Sequence, residues 1–228
     1  MLSPKYKIQQ FALKQVLGYL KKDPQKNLPK IMEWVRKFDT ENIYVDQYDM
    51  IEEYLRDPNN NWTQLMCNII NNVHPKIVQT VFTNFLLNAS IRGWAEIQKN
   101  KEKYGHEIPF TILVDPTTAC NKHCIGCWAA DYNKALNLSY EQLDKLFTEG
   151  KELGIYFYIM TGGEPLVRKD IVNLLKYIKN IDKIEQVTLT TNGILLHEML
   201  DDLYDAGIDA INISLDTLNK DNFKKITR

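Results

Sequence analysis

Three of the chain's four cysteines stand within eight positions, at Cys120, Cys124 and Cys127 in ACNKHCIGCWAA, whereas Cys67 lies more than fifty residues upstream. Spacings of three and two intervening residues suit a [4Fe–4S] cube, in which each thiolate holds one iron. Three thiolates leave the fourth iron without a protein ligand, and an open coordination position separates a reactive metal centre from a structural one. The competing chemistry is a Cys3His zinc site with His123 as fourth ligand. His123 adjoins Cys124, however, so closing one tetrahedron through both residues strains the backbone. Cys67, in QLMCNII, reads as a small buried hydrophobe on a helix.

Three further stretches could serve the same chemistry: TGGEP at 161–165, TTNG at 190–193 and SLD at 214–216. Gly162 and Gly163 carry no side chains and let backbone polar groups approach a ligand closely. Glu164 adds an acceptor for an ammonium group. A tight turn leaving a strand would explain the glycines and Pro165 equally well if the stretch stood alone.

The elements that must position these residues follow from periodicity. IPFTILVD is a β-branched run without helical period, read as a strand buried on both faces. After the cysteine loop, SYEQLDKLFTEGKELG shows a capping box at Ser139 and Gln142 and a terminal Gly154. IYFYIM, EQVTLT and DAINISLD read as strands, separated by the helical stretches KDIVNLLKYIKNI and LLHEMLDDLYDAG; LNKDNFKKITR begins a fourth helix. Alternating strands and helices predict a parallel α/β sheet, either open and doubly wound or part of a barrel. In both, ligands gather at the C-terminal ends of the strands. The cysteine loop, TGGEP, TTNG and SLD each follow or end a strand, so all four are expected at one rim.

Residues 1–107 read as an all-α region of five helices, the first with Ser3 as N-cap and Pro4 at its first position, the last from about Pro75 to Lys103 and stopping at Gly105. Residues 108–228 form the sheet-bearing part. Trp34, Trp62 and Trp94 at helical spacing are expected in the core. Arg168 and Lys169, opening the helix after TGGEP, are expected to be solvated. A net charge of −1 offers no footprint for nucleic acid. No apolar run approaches a membrane span and no secretory signal is evident, so the chain reads as cytoplasmic, where thiols stay reduced and a disulfide framework is disfavoured.

The C-x3-C-x2-C of Cys120, Cys124 and Cys127, followed by Gly162, Gly163, Glu164 and Pro165, resembles the radical S-adenosylmethionine (SAM) enzymes, specifically a subgroup with a helical N-terminal region. The resemblance covers about residues 108–228. It implies a (β/α)6-type partial barrel, a [4Fe–4S] cluster on the three cysteines, and SAM chelating the fourth iron. Gly162, Gly163 and Glu164 would then contact the SAM amino group, Ser214 and Asp216 the ribose, and Asn192 the same pocket. Many members carry an aromatic residue just before the third cysteine, near the adenine. Here that position is Gly126, and Trp128 stands on the other side.

The implied reaction is reductive cleavage of SAM to a 5′-deoxyadenosyl radical that abstracts hydrogen from a substrate, either a small molecule or a peptide. A low-potential electron donor of flavodoxin or ferredoxin type is the implied partner. No catalytic side chain is named by the resemblance. Only four strand–helix units occur, so the chain is expected to be the N-terminal part of a longer protein lacking strands 5 and 6 and any auxiliary-cluster domain. The rival expectations are a non-catalytic Cys3His zinc protein and an inactive barrel that binds a partner.

Overall fold

A computed structural model describes residues 4–38, 45–129 and 136–227; Ser3, the expected first N-cap, lies outside them. The chain divides into two compact units, Met1–Thr83 and Asn84–Arg228. Residues 84–107, grouped by composition with the helical region, therefore belong to the same compact unit as the sheet.

The first unit contains α1 (Pro4–Leu20), α2 (Pro24–Phe38), α3 (Val45–Arg56), α4 (Asn61–Asn72) and α5 (Pro75–Val81). Their core is Leu20, Leu28, Leu55 and Ile70, with Cys67 half-buried against it as a small hydrophobe. Trp34 and Trp62 contradict the expectation that they are core: they are 47% and 62% exposed. The aliphatic positions fill the centre of this bundle, and Trp34 stacks on Tyr19 with ring centroids 5.7 Å apart. Helical spacing alone does not say which face of a helix is the inner one.

A π-helical stretch, Phe82–Arg92, runs straight into α6 (Gly93–Tyr104), which ends on left-handed Gly105 as expected. Four strands follow: β1 (Thr111–Val114), β2 (Phe157–Met160), β3 (Gln186–Thr191) and β4 (Ala210–Ile213). They are joined through α7 (Tyr140–Leu153), α8 (Ile171–Asn180) and α9 (Leu196–Asp205), and α10 (Lys220–Ile226) comes last. The capping box at Ser139 and Gln142 is present in full at the start of α7.

The strands are parallel and in sequential order, β1-β2-β3-β4. Successive side chains alternate between faces, and one face packs into a single core with all three connecting helices. That core joins Val114, Tyr158, Met160, Val187 and Leu189 to Phe147 of α7, Leu175 of α8 and Leu203 of α9. Sequential order with every crossover helix on one side is the arrangement of a barrel arc; a doubly wound sheet reverses order and covers both faces. The opposite, concave face is open: Leu113 is 63% exposed. This corrects the expectation that β1 is buried on both faces. Its apolar run suits a barrel interior, where both faces of a strand look inward to protein only when the arc is filled.

Residues 84–104 close the floor of this arc, at the N-terminal ends of the strands. Phe85 meets Phe110 and Phe157 edge-on at 5.9 and 5.8 Å, just before β1 and at the start of β2. Arg92 pairs with Glu185 before β3 at 3.6 Å. Asn84 Nδ2 donates to Asp209 Oδ1 before β4 at 2.9 Å, and Asp209 Oδ2 accepts from Lys179 Nζ and the Val187 amide at 2.7 and 2.8 Å. On the outside, α6 touches the left-handed Gly154 that ends α7: a Cβ there would lie 2.7 Å from Gly93 O and 2.8 Å from the Ile97 amide nitrogen.

Gly154→Ala should therefore both strain the backbone and push α6 away. We expect a loss of more than about 1 kcal/mol, read as a fall of several degrees in the thermal midpoint.

Candidate functional site

The cysteines ride on the long loop between β1 and α7, and its two ends are tied together at the rim. The Thr118 amide donates to Leu136 O at 2.9 Å and the Leu138 amide to Pro116 O at 3.2 Å, around an isolated antiparallel bridge between Thr117 and Asn137. Arg168 completes the tie. Its Nη1 donates to Pro116 O at 2.8 Å and Leu138 O at 2.7 Å, one carbonyl on each side of the loop. Its Nε and Nη2 form a fork onto Asp170 at 2.7 and 3.0 Å, which holds that carboxyl below its usual range. The Arg168 side chain is only 9% exposed. The expectation that it is solvated is thus corrected, because the Pro116 and Leu138 carbonyls and a carboxylate draw it in, whereas Lys169 is exposed as expected.

The segment leading to Cys120 is gripped from the other side by the glycines after β2. The Gly163 amide donates to Thr117 O at 3.0 Å and the Glu164 amide to Ala119 O at 2.8 Å. Gly162 has φ +112°, and a Cβ there would come within 2.6 Å of Thr117 O. At Gly163 a Cβ would collide with Ala119 O and sit 2.6 Å from Thr118 O. Both positions must be glycine for this stacking alone. The close approach foreseen for a ligand is made here by the cysteine loop's own backbone.

Glu164 is 1% exposed, and both carboxylate oxygens are engaged. Oε1 accepts from the Leu166 amide at 3.1 Å and from Thr191 Oγ1 at 2.8 Å; Oε2 accepts from the Asn192 amide at 2.7 Å. Pro165 is buried as the first residue of a short 3-10 helix, Pro165–Val167, that Glu164 caps. Asn192 in turn donates through Nδ2 to Asn121 Oδ1 at 2.8 Å, reaching the residue after Cys120. The Ser214 amide donates to Thr191 O at 2.9 Å, which ties in the end of β4. Ser214, Asp216 and Trp128 all have exposed side chains.

The three thiols are free and half-buried. Burial pushes the Cys124 thiol up, and the charges of Cys127, Cys120 and Asp216 push it further, against Lys122. The cysteines therefore share one electrostatic neighbourhood, and Asp216 at the end of β4 shares it too. The far side of the loop is braced by α10: the Ile125 amide donates to Ile226 O at 2.9 Å, and the Lys122 ammonium lies 5.8 Å from the Phe223 ring. Among the described residues no group of three or more His, Cys, Asp or Glu is drawn tight enough to hold a metal as it stands. In number and type the donors fit an iron–sulfur cluster: there are three soft thiols, and the ionisation of Cys124 is opposed by burial and by its neighbours, a cost that a bound cation relieves. His123 is exposed.

One residue at this rim escaped the sequence reading. Asp115 follows Val114, which points into the helix-facing core, so it begins on the concave side; its Cα and Cβ lie 3.2 Å from where a Gly162 Cβ would be. Burial raises its carboxyl above the usual range. No motif spacing marks it, and only its position at the end of β1 could have drawn notice.

Residues 114–228 match the family model of the Radical SAM superfamily. The GTP 3',8-cyclase of Clostridium perfringens (strain SM101 / Type A) is 42% identical over 132 residues, covering 56% of this chain and 41% of its own. That of Petrotoga mobilis is 43% identical over 131 residues, covering 56% and 40%. The chain thus spans about two fifths of the length of the curated relatives it matches. Among solved structures, Streptococcus suis SuiB bound to S-adenosylmethionine aligns with a TM-score of 0.48 at 17% identity, covering 71% of this chain and 42% of that one.

Removing the Arg168 guanidinium leaves the Leu138 carbonyl and Asp170 without this donor, and the Pro116 carbonyl with the Leu138 amide alone. Arg168→Ala should cost roughly 2–4 kcal/mol in denaturant unfolding. Arg168→Lys should recover only a minor part, since a point charge cannot serve two carbonyls and a carboxylate at once.

Proposed function

The chain belongs to the radical SAM superfamily, whose cofactors are a [4Fe–4S] cluster and SAM, and on that premise we propose that Cys120, Cys124 and Cys127 are the cluster ligands of a SAM-cleaving enzyme. The observation that carries the assignment is the convergence on one rim of the only cysteine cluster with the glycine pair and the ends of β3 and β4. When bound, the cluster supplies the electron that cleaves SAM to methionine and a 5′-deoxyadenosyl radical, which takes hydrogen from the substrate.

The protein's own residues hold and shield. In this reading Gly162, Gly163 and Glu164, stiffened by Pro165, set the wall against which the methionine end of SAM lies. Asn192, Ser214 and Asp216 face the ribose, and Trp128, just past the third cysteine, is offered to the adenine. Glu164 acts there by fixing the wall, since its oxygens already accept three hydrogen bonds. The concave face carries apolar Leu113 of β1 and Ile159 of β2 beside Thr188 and Thr190 of β3, and in this reading its apolar part limits water around the reaction.

The likeness to GTP 3',8-cyclases supports the SAM chemistry. It does not by itself favour GTP as substrate, because Arg168, the buried cation of this rim, is taken up by the loop base. The substrate class is left as a small molecule or peptide. The electron donor is read as a flavodoxin or ferredoxin. Among the described residues no helix is long and apolar enough to cross a membrane.

Anaerobic reconstitution with iron and sulfide tests the reading. We expect a brown protein with about four irons per chain, which forms 5′-deoxyadenosine from SAM under dithionite. Cys→Ala at 120, 124 or 127 should abolish both, whereas Cys67→Ala should leave both intact. A colourless protein with one tightly held zinc would contradict the assignment.

A further inference from the structure

We propose that the substrate is a small molecule with an aliphatic hydrocarbon body and a neutral hydroxyl-type end, seated on the concave face of the arc, and not a phosphorylated one. The inference rests on the cluster and SAM reading above and names the substrate class that reading leaves open.

Register sorts the concave face into rows. The helix-facing core takes every second strand residue, from Ile112 to Ile211, so the residues between them face the other way. The row nearest the floor is Thr111, Phe157 and Gln186, and the next is Leu113, Ile159, Thr188 and Ala210. The polar members of both rows are engaged within the protein. Thr111 Oγ1 donates to Phe157 O at 3.0 Å, and Gln186 Nε2 donates to Thr188 Oγ1 at 3.4 Å. Toward the floor the Phe157 ring meets Phe85 and Phe110 at 5.8 and 6.2 Å. A ligand on these rows therefore meets an aromatic base, Leu113, Ile159 and Ala210. Leu113 is 63% exposed, and contact with hydrocarbon would take it out of water.

The row at the rim has the opposite character. Thr190 and Asn212 stand in register there, and neither side chain has a partner among the described residues. Both are neutral and can donate to or accept from a hydroxyl. Charge narrows the class further. Among the described residues the inward positions of the four strands carry no Lys, Arg or His, and Asp115 continues β1 on the same side. Arg168, the buried cation of this rim, is committed to the loop base. A phosphate on this face would lie opposite a carboxylate, with no cation from the strands to pair its charge.

The test uses the chain reconstituted with cluster and SAM, with 1-decanol and GTP as probes and affinities measured by equilibrium dialysis. Iron content and thermal midpoint of each variant report whether cluster and fold survive. We expect saturable binding of 1-decanol, at least about tenfold tighter than that of GTP. Leu113→Gln and Ile159→Gln should each weaken it about fivefold or more, whereas Trp62→Gln, at an exposed position of the first unit, should change it less than about twofold. GTP binding as tight as that of 1-decanol would overturn the proposal while leaving the cluster reading standing. So would a 1-decanol affinity unchanged in both strand variants, which would put the alcohol on another apolar patch. A wild-type chain that takes up no iron would overturn the cluster reading itself, and this inference with it.

Discussion

A buried carboxylate holds this rim together. Glu164 lies at the end of β2 with almost no contact with water, a position in which a charge is costly unless its oxygens are hydrogen-bonded. Three donors meet that need: the amide that begins the next turn, the Thr191 hydroxyl and the Asn192 amide. The same residue's amide holds Ala119, immediately before the first clustered cysteine. One side chain and its peptide thus fix the end of β2, the end of β3 and the entry to the cysteine loop with respect to one another. The loop's remaining restraints follow that frame: Asn192 reaches Asn121, Arg168 ties Pro116 to Leu138, and α10 supports Ile125.

The unit built on Asn84–Arg228 divides its tasks between two ends. At the floor, Phe85, Arg92 and Asn84 each meet a different strand start through rings, an ion pair and an amide. None of these groups can reach the rim, and their work is stability. At the rim, the groups that are satisfied internally (Glu164, Arg168) set geometry, whereas the thiols and Asp115 remain open to a ligand. A network in which each buried polar group is paired specifies a single arrangement. That pairing fixes the entry to the cysteine loop relative to the ends of β2 and β3.

Much of this was legible in the sequence. Periodicity and caps located the strands and helices of 108–228, because apolar runs, Ser139 with Gln142 and the terminal glycines are local signals. Their alternation also brought the cysteines, the glycine pair and Asn192 to one edge. Partnerships between distant residues were not legible. Nothing local joins Glu164 to Thr191, 27 positions on, or Arg168 to Pro116, 52 positions back. The exposure of Trp34 and Trp62 escaped for a related reason, since helical spacing gives a face without saying what it meets. So did the floor: the helix of 84–104 has the period of its neighbours, and only tertiary contact assigns it to the sheet.

The most direct measurement is amide hydrogen exchange on Glu164→Ala against the wild type, with the barrel strands as internal reference. If the carboxylate fixes the rim, the Asn192, Leu166 and Gly163 amides and the loop approaching Cys120 should lose most of their protection, while β2 and β3 centres keep theirs. Unchanged protection across 115–121 and at Asn192 would contradict the account.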